Sequence, residues 1–172
     1  PVMLVKKYGL DPVRYFLMRE IPSGEDGDFS EKKLEQRYQA DLANGLGNLV
    51  ARVSKLLENY DIDLSQFKSD DKRLFDEISS DIDTYHFNLA LQQIWQKISL
   101  LDRFINDERP WEKPRSGALK SLGKILTGTH ALSSIREVAY ALQPFLPETA
   151  EKILAQFKGP KITAAEGLFP RV

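Results

Sequence analysis

Cysteine is absent from all 172 residues. That one absence removes a disulfide framework, thiolate zinc sites and cysteine nucleophiles together, and it suits a reducing, cytoplasmic setting. Histidine is nearly as scarce, with only His86 and His130. A carboxylate-bridged dimetal centre in a helix bundle needs two Glu-x-x-His pairs on facing helices, whereas Asp83 stands three before His86 and Thr127 three before His130. No metal site is expected, and neither histidine is read as a ligand or general base. An excess of one charge is also lacking: 24 Lys plus Arg face 25 Asp plus Glu, a formal net charge of -1. Any contact with nucleic acid must therefore be local. The longest uncharged run, 84–96, is interrupted by Tyr, His, Asn and Gln and is shorter than the ~20 apolar residues of a membrane helix. No membrane partner and no signal peptide are expected. GxxxxGK[ST], GxGxxG after a strand and GxSxG are missing as well, so the chain by itself reads as non-catalytic.

What is present is a foldable, helix-patterned chain. Hydrophobic residues make up 42% and charged residues 28%, far from the disordered corner of composition. No segment alternates with period two, so the fold class is all-α, a bundle of about five helices. A short helix is predicted over 11–20, with Pro12 in its first turn. The loop IPSGEDGDF, 21–29, follows, and Asp28 or Ser30 is the candidate cap of the next helix. That helix runs from about 31 to 59, with Leu34, Tyr38, Leu42, Leu46, Leu49, Val53 and Leu56 as its apolar stripe. Asp41, Asn44, Asn48, Arg52, Lys55 and Asn59 form a polar row beside it. A long helix over 70–106 is expected to turn Leu74, Ile78, Ile82, Tyr85, Leu89, Ile94, Ile98, Leu101 and Ile105 inward. RPWEKPRSG, 109–117, must end it. Helices over 118–142 and from Pro147 to before Gly159 complete the pattern, and the last dozen residues read as irregular.

Two features are unusual for a plain bundle. Gly45 and Gly47 lie mid-helix, where each costs ~1 kcal/mol relative to alanine, so something must approach that backbone closely. Trp111 stands in a proline-bounded loop, PWEKP, instead of a helix stripe. It is either a plug under a loop or an exposed stacking platform. From 109 to 124 five cations (Arg109, Lys113, Arg115, Lys120, Lys124) face one acid, Glu112. An aromatic ring beside cations suits single-stranded RNA, since bases stack on the ring and phosphates meet the charges. Asn48 and Arg52, four apart on one helical face, are placed to bond base edges.

The run KYGLDPVRYFLMREIPSGEDGDFSEKKLEQRYQADLANGLGNLVARV, 7–53, together with FINDERPW, 104–111, resembles the carboxy-terminal part of methionyl-tRNA synthetases, class I aminoacyl-tRNA synthetases. The DGDFS and DLAN-x-LGNL-x-x-R strings carry the likeness, and PFLPETAEKIL, 144–154, extends it weakly. The resemblance implies a stem-contact and linker segment over 1–29 and a helical anticodon-binding domain over 30–172. Asn48, Arg52 and Trp111 fall on the family's anticodon-reading positions, with Pro110 and Asn106 flanking the pocket. Lys113, Arg115 and Lys120, cations of the basic patch, are expected to neutralise phosphates. The implied partners are a tRNA with a CAU anticodon and the catalytic domain of the same polypeptide, whose signature motifs this chain lacks. ATP and Mg are implied for the parent enzyme, and no cofactor for this fragment, which is expected to be inactive alone. The sequence departs from the family pattern at Asp102, where asparagine is usual, at Asn106, where aspartate is frequent, and at Pro114. The anticodon-binding tail of a cysteinyl or leucyl enzyme and a helical protein-binding scaffold are the alternative readings.

Overall fold

The computed structural model describes residues 2–24, 26–27, 29–129, 132–164 and 167–170. Among the described residues there is no β-strand, and eight helices make an all-α fold. Helices α1 (Val2–Tyr8) and α2 (Leu10–Glu20) are separated by Gly9, whose φ of 92° lies in the region other residues avoid. The first of these was not expected from the pattern. Ser30 caps α3, accepting from the Lys33 amide at 3.4 Å, while the alternative cap, Asp28, lies outside the described residues.

Helix α3 spans 31–59, as the 3–4 spacing predicts, but it is not uniform. Glu31–Arg37 and Asn48–Asn59 are α-helical, and Tyr38–Gly47 between them is π-helical. Wide turns of this kind gather at functional sites. Tyr38, Leu42 and Leu46, four apart, stay buried through the wide stretch, and Leu49, Val53 and Leu57 continue the stripe beyond it. The glycines of this stretch answer to packing. A Cβ on Gly47 would stand 3.2 Å from the Phe169 ring, brought in by the tail, and 3.1 Å from the Leu42 carbonyl oxygen.

Two predicted helices are broken. The one over 70–106 is α4 (Arg73–Asp83) and α5 (Phe87–Glu108), divided at Thr84–His86, where Tyr85 adopts φ 60°. The break leaves Tyr85 66% and Leu89 44% exposed instead of inward. No glycine or proline marks it. The helix over 118–142 is α6 (Arg115–Thr127) and α7 (Ile135–Leu142). Gly128 at φ 70° ends α6, and a capping box of Ser134 and Glu137 starts α7. Helix α8 (Pro147–Gln156) begins on its proline as predicted.

One continuous core joins these elements, from Tyr15 and Phe16 of α2 through Leu42 and Val53 of α3 to Ile94 and Ile98 of α5 and Leu142 of α7. The packing sets α5 against both α2 and α3, and this seam positions the candidate site. No helix among the described residues is long and apolar enough to cross a membrane.

Candidate nucleic-acid interface

Arg52 is the centre of the site. It projects from α3 across the seam to α5, where its Nη1 donates to Asp102 Oδ1 at 2.5 Å and its Nη2 to Asn106 Oδ1 at 2.6 Å. Asn106 Nδ2 in turn donates to Asp102 Oδ2 at 3.0 Å, so the three side chains close a ring. This geometry accounts for the exchange of Asp and Asn between positions 102 and 106. Either residue type offers the guanidinium an oxygen, and only one of the two needs the charge. Asn48, one turn before Arg52, is exposed. Asn44, a turn earlier still, lines a cavity of about 370 Å³ with Gly45, Ser99, Asp102, Arg103 and Asn106. Sequence reasoning left Asn44, Ser99 and Arg103 out of the site, although Asn44 belongs to the polar row read beside the apolar stripe.

Trp111 sits where α5 ends. Arg109 caps the helix in the left-handed conformation, φ 39° and ψ 63°, and turns the chain into a short 3₁₀ segment, Pro110–Glu112. Pro110 is buried, and its carbonyl oxygen accepts from the Tyr60 hydroxyl at 2.9 Å. The Arg115 Nη2 donates to the Tyr60 carbonyl oxygen at 2.9 Å. The end of α3 thus holds both sides of the turn, while the Trp111 side chain is left 49% exposed. Of the two readings of this tryptophan, the plug under a loop is excluded.

The basic patch is smaller than its composition suggests. Arg109 pairs with Glu112 at 3.4 Å, and Lys113 with Glu108 at 2.5 Å. Ser121 shares the Glu108 carboxylate and, with Lys113, draws its pKa below the ordinary range. Lys124 lies over the Phe104 ring at 5.7 Å. Lys120 is exposed, and Arg115 keeps part of its guanidinium uncommitted. Arg52, Asp102 and Asn106 form one cluster across α3 and α5, and Pro110 and Arg115 meet through Tyr60, whereas Lys113 is drawn aside by Glu108. Among the described residues no group of three or more His, Cys, Asp or Glu side chains could hold a metal ion. His86 is exposed, with its Nδ1 at 2.9 Å from the Thr84 hydroxyl, and His130 lies outside the described residues.

The helical fold and the sequence match define a class. Residues 1–54 match the family described as class I (M) tRNA synthetases. Over its full length the chain is 34% identical to the methionine–tRNA ligase of Clostridium acetobutylicum, covering 31% of that protein. The enzyme of Thermotoga maritima is 34% identical over 89% of the chain and 26% of its own length. The methionyl-tRNA synthetase of Mycobacterium tuberculosis in its apo form superposes with a TM-score of 0.77 at 26% identity, over 100% of this chain and 41% of that one. The same protein in complex with methionyl-adenylate gives a TM-score of 0.79 at 26% identity, over 99% of this chain and 39% of that one. Along its whole length the chain is similar to methionine–tRNA ligases, and it spans about a third or less of the length of the curated relatives it matches.

Proposed function

We propose that this chain is the anticodon-reading part of a cytoplasmic enzyme that attaches methionine to its tRNA at the expense of ATP. In this reading residues 1–29 are the stem-contact and linker segment, and 30–172 are the anticodon-binding domain. ATP, Mg and methionine belong to the catalytic half of the parent enzyme, and this chain alone carries no cofactor.

The observation that supports the reading best is Trp111, an aromatic ring left half exposed on a turn that Tyr60 and Arg115 hold in place. An unpaired anticodon base would stack on it, gaining ~1 to 3 kcal/mol. Arg52 is preset by Asp102 and Asn106, so little of its side-chain freedom is left to lose when it meets a base edge. Asn48 stands beside it, able to donate and accept. Arg115 and Lys120 then answer phosphates, and Lys113 joins them only by leaving Glu108.

Binding of a CAU anticodon stem-loop, measured beside loops carrying single-base changes, tests the reading. The proposal expects CAU to bind tightest, and binding to weaken steeply with salt. Equal affinity for all loops would defeat it, and binding to protein that is insensitive to salt would favour the scaffold reading instead.

A further inference from the structure

Beyond Ser99 and Arg103, on the side away from Arg52, a second open cavity of about 460 Å³ runs between α2 and α5. The two cavities share Ser99 and Arg103. They are successive stretches of one groove along α5, from Asn106 back to Gln92, roughly 20 Å at the rise of an α-helix. Leu100 lies on its rim, 41% exposed.

The polar lining of this second stretch is uniform in one respect. Arg19, Gln92, Trp95, Gln96, Ser99 and Arg103 can all donate hydrogen bonds, and no carboxylate is among them. Elsewhere Arg37, Arg52, Arg73, Arg109 and Arg136 each hold a carboxylate. Arg103 is exposed and takes part in none of the ion pairs of the described residues. Arg19 spends one Nη1 donor on the Asn88 carbonyl oxygen at 3.1 Å, and its Nε is buried with no acceptor. Buried donors are rarely left unpaired. The Ser99 hydroxyl is spent on the Trp95 carbonyl oxygen at 2.9 Å, but two uncompensated guanidinium groups beside the Gln92 and Gln96 amides form a surface for an acceptor-rich anion, and a phosphodiester chain is the ligand of that chemistry.

We infer that this α2–α5 groove is a second RNA contact, taking the phosphate backbone of the strand whose bases meet Arg52 and Trp111. The inference rests on the anticodon reading above, because the groove opens directly from the cavity lined by Asp102 and Asn106, the partners of Arg52. Its contacts are to backbone and not to bases, so it adds affinity without adding choice among anticodons.

Arg103→Gln, Arg19→Gln and the double variant test it, with the CAU stem-loop and a single-base variant loop bound across a salt series. Each substitution is expected to weaken both RNAs equally, by roughly three- to tenfold, and to lower the salt slope by about 0.7 per lost contact with a single strand. The preference for CAU should not change. Arg103 is exposed, so Arg103→Gln keeps the helical circular dichroism of the wild type and decides the matter even where Arg19→Gln disturbs α2. Arg103→Glu, a charge reversal, should weaken binding further. If wild type discriminates among loops while these variants bind with unchanged affinity and slope, the groove inference fails and the anticodon reading stands, leaving the groove to a protein partner. If wild type binds no stem-loop, both fail.

Discussion

Arg73 and Arg52 each reach from one helix to an acid on another, and they do opposite things. Arg73 on α4 meets Glu137 of α7 at 2.8 Å, and its Nη1 and Nη2 also donate to the Thr129 and Leu132 carbonyl oxygens at 2.6 and 3.1 Å. Glu137 is 1% exposed and is bound in turn by the Ser134 amide. Arg73 and Glu137 thus tie Thr129, Leu132 and Ser134, between α6 and α7, to α4. Arg52 and Asp102 form their pair at 2.5 Å with Asp102 still 40% exposed, and a cavity opens alongside. The same ionic chemistry locks a fold where it is buried and presents a guanidinium where it is open. The two tryptophans repeat the contrast. Trp95 packs on Tyr15 with centroids 4.4 Å apart, while Trp111 stands 49% exposed.

Stability measurements on matched variants test the contrast. Arg73→Ala strands the buried Glu137 and should cost ~3 to 5 kcal/mol in urea unfolding, whereas Arg52→Ala should cost under ~1 kcal/mol. Equal losses would erase the distinction. Next in size, Trp95→Ala is expected to lose ~3 kcal/mol by removing a ring packed between α2 and α3, with Trp111→Ala near wild type by the same assay. Gly47→Ala sharpens the packing side, since its methyl meets Phe169 and the Leu42 carbonyl oxygen. A net loss of ~1 kcal/mol is expected despite the better helix propensity of alanine, and a gain would show that the tail yields freely.

The smallest effect is one of pH. Burial would push the Asp71 carboxyl up, but hydrogen bonds from Arg136 and Ser69 outweigh it and hold the pKa below the ordinary aspartate range. A depressed acid stabilises the fold above its unfolded pKa, and that contribution is lost as pH falls through the lower folded value. The stability gap between wild type and Asp71→Asn should therefore be full at neutral pH and shrink only below about pH 4. A gap that already closes between pH 7 and 5 would contradict this.

Much of this architecture was legible in the residues. The spacing in 31–59 announced α3, and Pro147 the start of α8. The Gly128 break was also written there, in a glycine followed by Ser134 and Glu137 at capping-box spacing. The Tyr85 break was not, because a tyrosine in the left-handed region leaves no compositional mark and the apolar spacing runs on through it. The same continuity concealed the π-helical stretch, whose residues keep the four-residue spacing of an ordinary stripe. At the site, the exposure of Trp111 could be anticipated from its prolines and cations. The engagement of Lys113 by Glu108 could not, since counting charges along a chain does not show which of them meet in space.

The exposed Trp111 face is best tested by one paired measurement on Trp111→Ala: its melting temperature and its affinity for a CAU anticodon stem-loop. A melting temperature within a few degrees of wild type is expected, together with a loss of ~1 to 3 kcal/mol in binding and partial recovery in Trp111→Phe. A variant that melts far below wild type, or one that binds the stem-loop as tightly as wild type does, would contradict the assignment of this turn as an RNA-stacking surface.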